Sequence, residues 1–221
     1  VCLTSTLGEF GKVEITSYTL VGDAAVFGTA WDVANNDNNM VRKGETDTLT
    51  KVYTNILLTA KDYEYKVVGN HAYEIFQYPA QNAKFTITEK GYYTITFTLV
   101  VGKSPKLTAE AVKYVAPAAP AKPAIQYGGG YFTADNLPVA LTTTETRPNY
   151  ILVTIDGSEP SFEGVMTGAT LPVPSGQQIP MTATTTIKVR GMLLTEAGQP
   201  YQTPKGEYIY SEVASATFTK V

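Results

Sequence analysis

Asp62-Tyr63-Glu64-Tyr65-Lys66-Val67-Val68-Gly69-Asn70-His71-Ala72-Tyr73 is the stretch whose reading decides the fold. Tyr63, Tyr65 and Val67 alternate with Glu64, Lys66 and Val68, the period-2 pattern of a β-strand with one buried face. Gly69-Asn70 supplies a turn, since Gly tolerates positive φ and Asn is enriched there. Lys66, His71 and Tyr73 are thereby expected on one surface near a sheet edge.

The flanking segments repeat the pattern. Ile15 to Val21 reads as a strand ended by Gly22-Asp23, and Val26 to Asp32 follows. The polar run Asn35 to Asn39 is expected to be a loop outside the core. Thr48 to Leu58 reads as one strand kinked near Tyr53-Thr54-Asn55. Tyr73 to Gln77 returns from the opening strand, Tyr78 to Asn82 is a loop, and Lys84 to Thr88 is a further strand. In Tyr93 to Leu99, Tyr93, Ile95, Phe97 and Leu99 take one face and threonines the other, as a sheet packed on one side requires. Lys106 to Val115 closes this set, and residues 1 to 14 read as a tail or short edge strand.

Ala116-Pro117-Ala118-Ala119-Pro120-Ala121-Lys122 breaks the rhythm with a proline-rich, extended run. It is read as a linker at 116–122 between a first domain, 1–115, and a second, 123–221. The second half shows Tyr131-Phe132 after Gly128-Gly129-Gly130, then Pro138 to Thr142, Tyr150 to Ile155, Thr184 to Arg190 and Ala214 to Val221. Short strands at this spacing argue for a second sandwich, so the fold class is all-β, two immunoglobulin- or fibronectin-like β-sandwiches. The absence of sustained i, i+3, i+4, i+7 apolar patterns agrees.

Bulk properties exclude some functions. Only 17% of the 221 residues are charged and the net charge is −3, which provides no basic field for a phosphate backbone, so no nucleic acid partner is expected. A single cysteine, Cys2, rules out an intrachain disulfide and a cysteine-based zinc site. Cys2 is read as a trivial free thiol, with a buried thiol or the remnant of a lipid-attachment site as alternatives. A chain opening on Val1 is expected to be processed or trimmed.

Several segments resemble known families. Leu20-Val21-Gly22, Trp31-Asp32 and Leu58-Thr59-Ala60 leading into Tyr63-Glu64-Tyr65-Lys66-Val67, with an aromatic soon after, resemble the starch-binding accessory domains found beside pullulanases and amylases and in the SusE and SusF type of cell-surface lipoproteins. The resemblance spans about residues 15 to 115. It implies a ligand site in which Trp31, Lys66 and Tyr73 occupy the family's stacking and hydrogen-bonding positions, with Asn82 as a looser match. Tyr73 departs from the pattern, because the family usually has tryptophan there. The second half is similar to the chitobiase/β-hexosaminidase C-terminal domain. The similarity rests on Pro123-Ala124-Ile125, Gly129 to Phe132, Tyr150 to Pro160, Thr184 to Arg190 and Ser211 to Phe218. Relatives of that kind serve mostly as spacers or packing modules.

The chemistry of these residues fits ring recognition. Pyranoses present weakly polar C–H faces to aromatic rings and rims of hydroxyls to ammonium and amide groups. Each residue also has a plainer reading: Trp31 as a core ring, Lys66 as a solvated sheet lysine, and Tyr53, Tyr78 and Tyr92 as strand-end tyrosines. Asp32 and the Asn35–Asn39 run do not have the spacing of a calcium loop, and the sole histidine, His71, supports neither a histidine cluster nor a Ser-His-Asp arrangement. Asp156-Gly157-Ser158 reads as a turn. The expectation is a non-catalytic binder of α-glucan, with no cofactor, no metal and no catalytic residues, and with other cell-surface glycan-utilisation proteins as further partners. A secreted or cell-surface bacterial location goes with it, lipid anchoring being one option. The rivals are a structural or adhesion module of a surface assembly and the non-catalytic part of a larger glycoside hydrolase.

Overall fold

A computed structural model of the protein describes residues 13–221; Cys2 and most of the expected N-terminal tail lie outside them. The chain divides into two compact units, one ending at Val115 and the other running from Ala116 to Val221. Both are β-sandwiches whose strands pair antiparallel, apart from one parallel strand pair in the second.

The first unit holds β1 (Tyr18–Gly22), the short helix α1 (Ala24–Phe27), β2 (Val41–Arg42), β3 (Thr48–Leu58), β4 (Lys61–Gly69), β5 (Ala72–Ile87), β6 (Gly91–Val100) and β7 (Lys106–Lys113). One sheet runs β1-β4-β5 and the other β2-β3-β6-β7. The alternation of the opening stretch decides which side faces in. Tyr63, Tyr65 and Val67 lie in the core, joined across the sandwich by Tyr93, Ile95, Phe97 and Leu99. Phe97 is fully buried, and its ring meets Phe27, Tyr53, Tyr65 and Phe85 at centroid distances of 5.4, 5.9, 5.0 and 6.0 Å. Edge-on and tilted geometry of this kind adds to the burial of each ring.

Several expectations change here. The helix α1 opens the segment Val26 to Asp32. The tight turn after β4 is Asn70-His71, both with positive φ, rather than Gly69-Asn70. The polar run Asn35 to Asn39 contributes to the interior after all: Asn38 is 3% exposed, donates to Phe27 O at 3.1 Å and accepts from Tyr53 Oη at 2.8 Å. A buried amide is tolerated because both its ends are satisfied. The expected kink in β3 is a bulge between Tyr53 and Ile56, with Asn55 at φ 57°.

The second unit contains β8 (Ala124–Ile125), β9 (Gly130–Phe132), β10 (Leu137–Thr142), β11 (Asn149–Thr154), α2 (Phe162–Thr167), β12 (Leu171–Val173), β13 (Gln178–Met181), β14 (Thr185–Leu193) and β15 (Ala214–Lys220). Its sheets are β13-β10-β8 and β12-β11-β14-β15-β9, closed over Val139, Leu141, Ile151, Val153, Ile187, Val189 and Phe218. The turn read at Asp156-Gly157-Ser158 is present, with Asp156 Oδ1 accepting from Ser158 N at 2.9 Å and Gly157 at φ 81°.

The Pro/Ala stretch read as a linker is hydrogen-bonded to the second sandwich. Arg147 donates to Ala118 O at 3.0 Å and Ala119 O at 3.3 Å, while Glu145 accepts from Ala121 N at 3.0 Å. Glu145 and Arg147 are themselves paired at 2.7 and 2.8 Å, with the Glu145 side chain only 8% exposed. Prolines without N–H groups leave the carbonyls of this stretch as its main handles, and the guanidinium fork takes two of them.

The Arg147 guanidinium, followed by the Arg147 and Ala121 amides, holds the Glu145 carboxyl down from 4.5 to about 2. A carboxyl whose pKa is lower in the folded state stabilises the fold above its unfolded value and loses that contribution as pH falls toward the folded one. Glu145→Ala is therefore expected to cost the second unit about 2–4 kcal/mol at neutral pH. In urea unfolding, the gap between variant and parent should narrow as pH falls from 4.5 toward about 2.

Candidate functional site

On the outer face of the β1-β4-β5 sheet, Thr19 and Val21 of β1 sit beside Lys66 and Val68 of β4. Thr19, Val21 and Val68 are nevertheless fully buried, and Lys66 is 6% exposed. The chain from Trp31 to Asn39 is tied to this face. Trp31 N donates to Gly22 O at 3.0 Å, and Thr19 Oγ1 donates to Asn39 Oδ1 at 2.5 Å. His71 Nδ1 lies 2.6 Å from Val33 O, which can only accept, so Nδ1 carries the proton. Tyr73 Oη donates to Trp31 O at 3.2 Å, and burial pushes the Tyr73 phenol above its ordinary range, keeping it a donor. Gly22 permits the close fit, because a Cβ there would stand 2.2 Å from Glu64 O.

Trp31 itself is partly exposed and adopts φ 56°. A bulky residue in the left-handed region is a steric outlier, and the two backbone bonds to Gly22 and Tyr73 hold it there.

Lys66 and Asn82 are placed by the mismatch between β4 and β5. The ladder pairs Tyr65 with Ala83 and Val67 with Tyr78, so residues 79–82 leave it opposite Lys66; a second excursion, 73–76, carries Tyr73. Pro79, lacking an N–H, cannot serve the ladder and marks the first departure. Beneath it, Lys66 Nζ donates to Gln77 Oε1 at 2.8 Å and Ala80 O at 3.3 Å. Asn82 is exposed and donates to Glu64 Oε2 at 3.0 Å, while Lys84 pairs with Glu64 Oε1 at 3.1 Å. The Asn82 bond first and the Lys84 bond second hold the Glu64 carboxyl below its ordinary range.

The structure thus joins Trp31 to Tyr73 and places Lys66 in the same sheet. It also changes one expectation. Lys66 is not a solvated lysine: it is buried, and no ion pair among the described residues includes it. His71 is only partly exposed and works as a strap on Val33. Tyr53 caps the core, its hydroxyl held by Asn38. Gln77, Glu64 and Lys84 are site residues that sequence reasoning missed. Gln77 carried no signal, whereas the cross-strand pair Glu64–Lys84 was implicit in the alternation once the register is known.

For a metal the geometry offers little. Asp32 and Asn35 each accept a nearby backbone N–H, from Ala34 at 2.9 Å and Asp37 at 3.0 Å. Among the described residues, no group of three or more His, Cys, Asp or Glu side chains is arranged to hold an ion.

No protein-family model and no curated protein matches the chain. Among solved structures, the pullulanase from Bacillus acidopullulyticus is similar with a TM-score of 0.33 and 11% identity. The match covers 90% of this chain and 28% of that one, so the chain spans under a third of the pullulanase's length.

Removing the Tyr73 hydroxyl isolates its bond to the Trp31 loop. Tyr73→Phe is expected to lower stability by about 1 kcal/mol and to shift the emission of the sole tryptophan; unchanged emission would show that the bond does not hold the ring. Asn82→Ala should return the Glu64 titration toward its ordinary value, measured by carboxyl carbon NMR.

Proposed function

We propose that the first sandwich binds an α-glucan, such as starch or a maltooligosaccharide, on the outer face of the β1-β4-β5 sheet, and that the chain performs no covalent chemistry. The observation that carries this reading is the 3.2 Å bond from the Tyr73 hydroxyl to the Trp31 carbonyl, which keeps two partly exposed aromatic residues side by side. Two aromatic residues tied together through the Trp31 backbone suit successive sugar units, and each stacked ring adds about 1 kcal/mol beyond area burial. The left-handed backbone of Trp31 supports the same reading. Such conformations cost about 1–3 kcal/mol and cluster at ligand clamps.

In this mechanism Trp31 and Tyr73 take the apolar faces of the sugar. Lys66 has three N–H donors and two acceptors within the chain, leaving one for a sugar hydroxyl. Asn82, on the 79–82 excursion, supplies a further amide. No cofactor enters. The second sandwich spaces the binding unit from a bacterial cell surface or from partner proteins of glycan capture, and the protein acts outside the cell.

One observation favours a second reading. Lys66 is 6% exposed and both its acceptors are internal, as for a strut that fixes the 79–82 excursion in a structural module or in the non-catalytic part of a larger hydrolase. Affinity electrophoresis through starch, glycogen and chitin separates the two. The glucan reading expects retardation by starch and glycogen, lost in Trp31→Ala and weakened about tenfold or more in Lys66→Met, given 1.5–3 kcal/mol for a charged hydrogen bond. Absence of retardation by either α-glucan, with Lys66→Met lowering only the melting temperature, leaves the structural reading.

A further inference from the structure

Among the described residues, the two most exposed aromatic rings lie on the second sandwich, four positions apart: Tyr131 at 81% and Tyr127 at 63%. They are separated by Gly128-Gly129-Gly130. Together with Phe132, Leu137 and Phe218 they line a cavity of about 220 Å³. That is room for a single ring, since pockets for drug-sized ligands begin near ~300 Å³.

The backbone here is built with some effort. Tyr127, Gly128, Gly129 and Gly130 have φ of 65°, 65°, 106° and 125°, four successive residues in the region that side chains avoid. Gly129 is pressed onto the last strand, where a Cβ would stand 2.7 Å from Thr217 O. Beside Gly128 and Gly130, in contrast, no atom lies within 4 Å of where a Cβ would be, so a ligand can reach the peptide groups there. The floor is firm: Gly130, Tyr131 and Phe132 pair with Phe218, Thr219 and Lys220, and Gln126 Oε1 accepts from Ala140 N at 3.0 Å. Core burial does not explain the strain at Tyr127, because its ring is exposed.

We propose that the second sandwich carries its own ligand site, an aromatic cleft between Tyr127 and Tyr131 that takes one uncharged pyranose ring. The lining bears no formal charge at neutral pH, which matches a neutral ligand and disfavours an acidic one. The two tyrosines offer flat apolar faces for the sugar's C–H groups and hydroxyls for its rim. Open glycine peptide groups add donors and acceptors without a side chain in the way. A surface spacer needs none of these features.

The site is independent of the one on the first sandwich, and the chain provides a way to tell them apart: its only tryptophan, Trp31, belongs to the first. The test is a titration of the full chain with maltohexaose, and separately with tri-N-acetylchitotriose, followed by amide NMR and by tryptophan emission. The amides of residues 128–131 and 217–219 should shift with at least one of the two sugars. Tyr131→Ala and Tyr127→Asn should each weaken that response roughly fivefold while leaving the tryptophan response unchanged. Asn is chosen at 127 because it tolerates the left-handed backbone. Both rings are exposed, and unshifted amides elsewhere in the second sandwich verify folding. The proposal is overturned if residues 128–131 do not respond to either sugar up to about 10 mM, tenfold above a millimolar dissociation constant. It is equally overturned if their response survives both substitutions.

Discussion

The first sandwich depends on a mismatch of length. β5 has sixteen residues and its partner β4 has nine, so the ladder cannot close without releasing part of β5. The surplus leaves as two excursions, 73–76 and 79–82, both on the sheet that also receives the Trp31 loop. One delivers Tyr73 to the Trp31 carbonyl and the other delivers Ala80 to the Lys66 ammonium. Bulges re-aim side chains in this way at sites that a flat strand could not build. Without them, β5 would be an ordinary edge strand with unpaired groups open to another chain.

The excursions remain ordered because the opposite side of the sheet is rigid. Phe97 sits among Phe27, Tyr53, Tyr65 and Phe85, so a single ring from β6 ties both sheets and α1 together. Tyr63 and Phe85 stack at 5.4 Å across β4 and β5 just beyond the 79–82 excursion. The backbone of β4 is thus fixed by its inner face while its outer face carries the polar work. Lys66 illustrates the consequence. Its ammonium is nearly out of water, which is costly for a charge unless hydrogen bonds replace the lost hydration, and Gln77 and Ala80 do so.

The strands were largely legible in the sequence because period-2 alternation is local: Tyr63, Tyr65 and Val67, or Tyr93 to Leu99, declare their buried face without knowledge of any partner. What was not legible depends on pairing. The burial of Asn38 needs Tyr53 and Phe27 as partners, and neither is near it in sequence. The Asn70-His71 turn lost out to Gly69-Asn70 because a glycine is the stronger local cue, whereas here Gly69 pairs with Ala72 and finishes β4. The Pro/Ala run carried the composition of a linker, and only Arg147 and Glu145, some 25 residues away, show that it is held. The site was half visible. Trp31, Lys66 and Tyr73 were singled out from sequence, but the burial of Lys66 and the role of Gln77 follow from the register of β5, which composition does not determine.

Backbone strain gives a criterion that is independent of any resemblance. Five described residues other than glycine have positive φ: Trp31, Asn55, Asn70, His71 and Tyr127. Asn and His are enriched in that region, and Asn55 marks a bulge while Asn70 and His71 form a hairpin turn, so those three are accounted for by local geometry. Trp31 and Tyr127 are not. A large aromatic residue gains nothing from that conformation as a turn former, and glycine or asparagine would adopt it at lower cost. What an aromatic residue supplies that they cannot is a ring, held at a fixed angle to the surface. The two residues sit in different sandwiches, one tied down by Gly22 and Tyr73, the other followed by three glycines with Gly129 against Thr217. Among the described residues, Trp31 and Tyr127 are thus the two strained aromatics that turn geometry does not explain, and each lies on one of the two surfaces proposed for ring recognition.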